Sequence, residues 1–345
     1  MKKSITIVFI FVASYLFSQN KITGDIYMKD TDSIFFLPRL IDTIYFQSPI
    51  IKTKISSNKF NLRKRFDYPQ MYFLKFLKND SKIVFGADFC FLDNSTKKIK
   101  IDYRGISYIN TSNTQKEYKN LFEPFFLQGR KDITIANYFV TNILDFRLKL
   151  SAYISKYDNS YVALWYLIMD FNENGYYKGL EEMIDSFSGE MKNEYLWITL
   201  KDQVKNIRIK EGCKFPELFL KNKNSQVVQL NIKSKYTLVD YWFSRCKPCL
   251  KQFPKLKEMF SEYKNKGFNI ISISTDRTAD VELWKKRIDE NELDWDQYLD
   301  ENSKEAFSDK IISFPTNFLI DEKGNVIQKN ISLEKLEVLL KENLK

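Results

Sequence analysis

The strongest constraint on this chain is a seven-residue run, Tyr236-Thr237-Leu238-Val239-Asp240-Tyr241-Trp242, which leads directly to Cys246-Lys247-Pro248-Cys249. A short, nearly continuous apolar run rich in β-branched and aromatic residues predicts a strand buried on both faces. Beyond the second cysteine, Leu256, Met259, Phe260 and Tyr263 recur at helical spacing, so a helix follows. The cysteine pair therefore falls where a buried strand ends and a helix begins. There the first turn has unpaired N–H groups, and the positive helix end favours a thiolate. Two intervening residues let the sulfurs meet, with Cys246 facing solvent and Cys249 one turn deeper. Cys246 is the candidate nucleophile and Cys249 the candidate resolving thiol. Arg245 and Lys247 flank Cys246 and are expected to favour its thiolate. Pro248 is tolerated because a first-turn residue needs no N–H.

Composition narrows the chemistry further. The chain has four cysteines and no histidine. That excludes a Ser-His-Asp or Cys-His nucleophile pair, an imidazole base, and any His-ligated metal. A zinc site needs about four ligands, and beyond the pair only the lone Cys90 and Cys213 remain, so no metal and no separate cofactor are expected. A purely structural disulfide across so short a loop would restrain the unfolded chain only modestly. Redox exchange is the better use of the pair. Cys90, in Phe89-Cys90-Phe91-Leu92, and Cys213 read as isolated buried thiols, with a bond between them as the alternative. Asp240 is a lone carboxylate inside an apolar strand, which is costly unless it is used or hydrogen-bonded. A catalytic and a structural role both remain open for it.

The N-terminus predicts export. Lys2 and Lys3 precede a mostly apolar stretch from Ile5 to Phe17, and Ser18 follows as a small residue near a cleavage point. That stretch is short of the ~20 residues of a comfortable membrane span, so a cleaved signal is expected, with a retained anchor as the alternative and only link to a membrane. The protein is then placed in the periplasm or cell envelope, where disulfide chemistry is permitted. The net charge is +10, yet from Cys213 onward 23 basic residues stand against 21 acidic ones, and no long basic run occurs. Nucleic acid is not an expected partner.

Four segments are expected: a signal peptide over 1–19, a β-rich domain over 20–112, a helical segment over 113–209 and an α/β domain over 210–345. In the first domain, strands are predicted at Ile22–Tyr27, Ser33–Leu37, Met71–Leu74, Lys82–Phe85 and Ile99–Tyr103, mostly antiparallel. In the helical segment Phe139, Ile143, Phe146 and Leu150 begin a spacing that predicts three to five helices, whose aromatics pack as core. In the last domain strands alternate with helices, and a late hairpin runs through Asp321-Glu322-Lys323-Gly324-Asn325.

The run from Leu238 through Cys249, with Ser313-Phe314-Pro315-Thr316 further on, resembles the thioredoxin superfamily. With the N-terminal signal pattern it is most similar to exported TlpA/ResA-type thiol-disulfide oxidoreductases. The β-then-helical front half looks like the extension common in relatives from Bacteroidetes. The resemblance implies a thioredoxin fold over roughly the last 135 residues, preceded by the β-rich domain and helical segment. It implies that Pro315 is cis and packed against the sulfurs, and that backbone around Phe314 pairs with an extended substrate. Asp240 matches the buried acid that relays a proton to or from the deeper thiol. Trp242 would shield the site, and Phe314, Trp242 and Lys247 are the candidate substrate contacts. Two positions depart from the pattern: Arg245 stands where many relatives carry Trp, and Gln252 where ResA-type relatives carry Glu. The expected function is dithiol–disulfide exchange with protein substrates and an unidentified redox partner, in the reducing direction. The alternative is a binding or scaffold protein whose thioredoxin domain is vestigial.

Overall fold

The structure is a computed structural model that describes residues 20–26, 31–38, 40, 42–78, 83–101 and 108–345. The expected signal peptide lies outside the described residues. Packing divides the chain into two compact units. Of the described residues, the first comprises those from Asn20 to Pro38 together with those from Phe46 to Thr141, and the second comprises those from Leu40 to Tyr45 and from Asn142 to Lys345.

In the first unit eight strands are described: β1 (Lys21–Ile26), β2 (Thr31–Leu37), β3 (Ile51–Lys54), β4 (Lys59–Arg63), β5 (Gln70–Lys78), β6 (Ile83–Leu92), β7 (Lys98–Ile101) and β8 (Tyr108–Asn110). They form two four-stranded sheets, ordered β4-β1-β7-β8 and β3-β2-β5-β6. All pairs are antiparallel except β1 with β7. Alternation decides which side is buried: Ile22 and Ile26 in β1, Phe60 and Leu62 in β4, and Ile99 and Ile101 in β7 all point inward. Phe36 of β2 meets Phe60 of β4 edge-to-face at 6.2 Å, which ties the sheets together. Gly24 makes room for that ring, because a Cβ there would lie 1.8 Å from Phe60 Cε1. Gly24→Ala is expected to destabilise this unit by roughly 1–3 kcal/mol through overpacking. Thermal melting followed by far-UV circular dichroism checks it; an unchanged transition contradicts the packing described.

Strands give way to helices at Ser112, whose Oγ accepts the Gln115 N–H at 3.1 Å and caps α1 (Asn113–Glu117). A π-helical stretch, Tyr118–Phe122, joins it to α2 (Glu123–Leu127), and α3 (Ile135–Thr141) completes the unit. The division by packing therefore falls 29 residues after the change from strand to helix. The second unit continues with α4 (Ile143–Lys156), α5 (Tyr161–Asn174), α6 (Leu180–Asp185) and α7 (Tyr195–Lys205). Seven α-helices thus occupy a stretch where periodicity predicted three to five, because α1, α2 and α6 span barely more than one turn each. Helix α5 is buried from Val162 to Asn172, so Trp165 and Tyr166 are core residues. Its one buried charge, Asp170, accepts both Nε and Nη2 of Arg147, at 2.8 and 2.9 Å.

The rest of the second unit has the α/β architecture expected from the sequence. Its elements are β9 (Phe219–Asn222), β10 (Val227–Gln229), β11 (Tyr236–Trp242), α8 (Lys247–Tyr263), β12 (Phe268–Ser274), α9 (Val281–Glu290), β13 (Asp296–Leu299), α10 (Lys304–Ser308), β14 (Thr316–Asp321), β15 (Val326–Lys329) and α11 (Leu333–Asn343). The seven strands order as β10-β9-β13-β12-β11-β14-β15. Strand β11 is central, parallel to β12 and antiparallel to β14. Leu238 and Trp242 pack on one face with Phe253, Trp284 and Leu336 from α8, α9 and α11. Val239 and Tyr241 pack on the other with Ile271, Ile273 and Phe318. That two-sided burial is why β11 reads as an uninterrupted apolar run broken only by Thr237 and Asp240.

Candidate active site

Strand β11 delivers the chain through Phe243, Ser244 and Arg245 to Cys246, which has extended backbone and caps α8. The Cys249 N–H donates to Cys246 Sγ at 3.2 Å, so the nucleophile candidate already receives one of the helix-end hydrogen bonds. Cys246 and Cys249 are joined as a disulfide with Cα atoms 5.3 Å apart. Cys246 is 3% exposed and Cys249 1%. The expectation that Cys246 faces solvent does not hold in this oxidised state: it belongs to the apolar cluster of α8 and β11, against which Phe243, Leu250 and Phe314 pack. Lys247 and Pro248 are exposed in the first turn of α8.

The Phe314–Pro315 peptide bond is cis. Tyr241 pairs with Thr316 across β11 and β14, which sets Pro315 opposite the end of β11, where the cysteine loop departs. Phe314 is half-buried and meets Phe243 edge-to-face at 5.4 Å. Trp242 is fully buried, edge-on to Phe253 at 5.0 Å, and lies beneath the surface of the site. Asp240 is 2% exposed on the same face of β11 as Trp242, and burial pushes its carboxyl up to about 7. A carboxyl poised there can hold or release a proton near neutral pH.

Residues that sequence reading missed hold the loop in place. Asp276, 3% exposed beyond the end of β12, accepts the Ser244 N–H at 2.8 Å, the Ser244 hydroxyl at 2.6 Å and the Ser274 hydroxyl at 2.6 Å. Arg245 directs its guanidinium at Asp280, with Nη2 donating at 2.7 Å. Its charge is thus partly answered by a carboxylate, which weakens its expected pull on the Cys246 thiol. Ser274-Thr275-Asp276 at a strand end was the available sign of this anchor; only the fold brings it to Ser244. Cys90 is buried and Cys213 is exposed, and neither forms a disulfide. Cys213 was expected to be buried, but it lies on a turn where only its backbone is engaged by the sheet, its carbonyl accepting the Val326 N–H at 2.9 Å. Among the described residues, no group of three Cys, Asp or Glu side chains is placed to hold a metal ion.

A family model described as thioredoxin-like matches residues 234–326. The thiol-disulfide oxidoreductase ResA of Bacillus thuringiensis subsp. konkukian is 30% identical over 142 residues, covering 41% of this chain and 80% of its own length. ResA of Oceanobacillus iheyensis is 30% identical over 146 residues, covering 40% of this chain and 74% of its own. Among solved structures, the thioredoxin domain of a thiol-disulfide oxidoreductase from Bacteroides vulgatus is 32% identical, covering 39% of this chain and 98% of that one, with a TM-score of 0.36.

Proposed function

The chain belongs to the thioredoxin-like, ResA-type thiol-disulfide oxidoreductases, and from that membership we propose that it reduces disulfides of protein substrates outside the cytoplasm through Cys246 and Cys249. The observation that carries this reading is the Cys246–Cys249 bond at the N-terminus of α8, just beyond the strand that buries Asp240. In the reduced enzyme the Cys246 thiolate attacks a substrate disulfide; one substrate sulfur leaves as thiolate and the other is held in a mixed disulfide. Cys249 then gives its proton to the Asp240 carboxylate and attacks Cys246 Sγ. The second substrate sulfur leaves, and two electrons have passed from the dithiol to the substrate. Substrate backbone pairs beside Phe314 and Pro315, and exposed Lys247 lies at the rim. Export rests on the apolar stretch Ile5–Phe17 behind Lys2 and Lys3. An unidentified reductant returns the pair to the dithiol.

Replacing Cys249 with Ser removes the resolving sulfur and leaves the first attack intact. Cys249→Ser is expected to accumulate covalent mixed disulfides with proteins of the cell envelope, seen on non-reducing gels and released by dithiothreitol. Absence of such adducts, with Cys246 confirmed as a reduced thiol, overturns the assignment.

A further inference from the structure

A proton taken by Asp240 has to cross protein before the next turnover, since that carboxyl is 2% exposed. The neighbours of Asp240 are set by register. Asn317 of β14 lies opposite it on one side and Ser272 of β12 on the other. The buried side chains of α8 are Cys249, Phe253, Leu256, Met259, Phe260 and Tyr263; of the two that titrate, Cys249 lies in the first turn of the helix and Tyr263 in the last. Asn317 offers no exit, because both ends of its amide are held by the backbone of Ile331, at 3.0 and 3.1 Å. Ser272 differs. Its Oγ accepts the Trp295 indole N–H at 2.8 Å, and its own hydroxyl proton remains to give.

The polar row continues one strand further. Gln297 of β13 is the register partner of Ser272, roughly 10 Å from Asp240 at two strand spacings. Gln297 is 8% exposed, and neither its Nε2 nor its Oε1 has a hydrogen-bond partner. It lines a cavity of about 360 Å³ walled by Leu293 and Trp295 and bordered by the exposed Asn224 and Asp294. A buried amide with both ends unmatched, behind a cavity far larger than one water molecule, is a seat for solvent.

We propose that Ser272 and Gln297, with water from this cavity, form the proton route between Asp240 and bulk solvent. The proposal rests on Asp240 being the group that takes the Cys249 proton. The Cys249 S–H bond breaks as an O–H bond forms on Asp240. That proton passes through an intervening water to the Ser272 oxygen, Ser272 gives its own proton to water held at Gln297, and Asp240 returns to its carboxylate. No electrons move along the row. Ser272 and Gln297 act only through Asp240 and position the transfer.

The test is single-turnover oxidation of the reduced protein by glutathione disulfide at pH 6, where Asp240 must lose a proton before it can accept one. Three variants are compared with wild type, Gln297→Leu, Ser272→Ala and Asp240→Asn, each with and without imidazole as a small proton carrier. Gln297→Leu and Ser272→Ala are expected to slow the step closing the Cys246–Cys249 bond about tenfold, and imidazole to restore most of the rate. Ser272→Ala removes one oxygen and keeps the strand packed, so it serves should the leucine variant fold poorly. Wild-type rates in both, with Asp240→Asn slow, overturn the route and leave Asp240 in its role. Wild-type rates in all three overturn the reading of Asp240 as well. Slowing that imidazole does not relieve marks a packing defect and also overturns the route.

Discussion

Cys246→Ser is expected to abolish disulfide reduction, by on the order of a thousandfold or more, measured as turnover of a disulfide-bonded protein with dithiothreitol as electron source. The size of the effect follows from position. Cys246 caps α8 and its sulfur accepts the Cys249 N–H, so helix-end dipoles stabilise its thiolate in particular. Lys247 adds an exposed positive charge beside it, whereas Arg245 is drawn to Asp280. Cys249 is the third residue of α8 and is the more buried of the two. The asymmetry with Cys249→Ser is therefore part of the prediction: one variant cannot begin the reaction, and the other begins it and stalls. Retained activity in Cys246→Ser together with a dead, adduct-free Cys249→Ser would reverse the assigned roles.

Asp240→Asn is expected to have two effects, one on rate and one on stability. Without a carboxylate to take the Cys249 proton, closure of the disulfide slows by about a hundredfold near neutral pH. The stability effect has a definite sign. Burial raises the folded-state pKa from 3.8 to about 7, so the folded protein holds the proton over a range in which the unfolded chain has lost it. This group's contribution is therefore complete below about pH 4, is lost as pH rises through 7, and is level above that. The lost contribution is about 4 kcal/mol for a shift of about three units. Asp240→Asn lacks the decline, so it is expected to be more stable than wild type at pH 8, by up to that amount, and to match it more closely at pH 4. Urea titrations of the two oxidised proteins at both pH values check it. An Asn variant that loses stability equally at both would make Asp240 a structural hydrogen-bonding residue.

What the sequence made legible was local. Strand β11 could be read because burial on both faces removes the need for polar alternation, and the cysteine spacing could be read because one helical turn brings the sulfurs together. The short strands β9 and β10 escaped notice, since three or four residues with exposed Phe219 and Val227 carry no burial pattern. Strand β13 begins with Asp296 and Gln297, and polar residues of that kind read as loop. The anchor at Asp276 is 32 residues from Ser244, and only the β11–β12 pairing brings them together. Arg245 shows the converse. It is adjacent to Cys246 in sequence, yet its side chain answers to Asp280, 35 residues away. The row from Asp240 through Ser272 to Gln297 depends wholly on register, which sequence spacing does not specify across three separate strands.

The central claim is that Cys246 and Cys249 cycle between dithiol and disulfide in function. The equilibrium reduction potential of the pair, titrated against a dithiothreitol buffer and read from alkylated and unalkylated protein by mass, tests it most directly. Reversible titration with a potential above about −300 mV, within reach of biological thiol partners, is the predicted result. A pair that resists reduction below about −300 mV, and whose thiols stay inert once freed, would make it a structural disulfide and contradict the account.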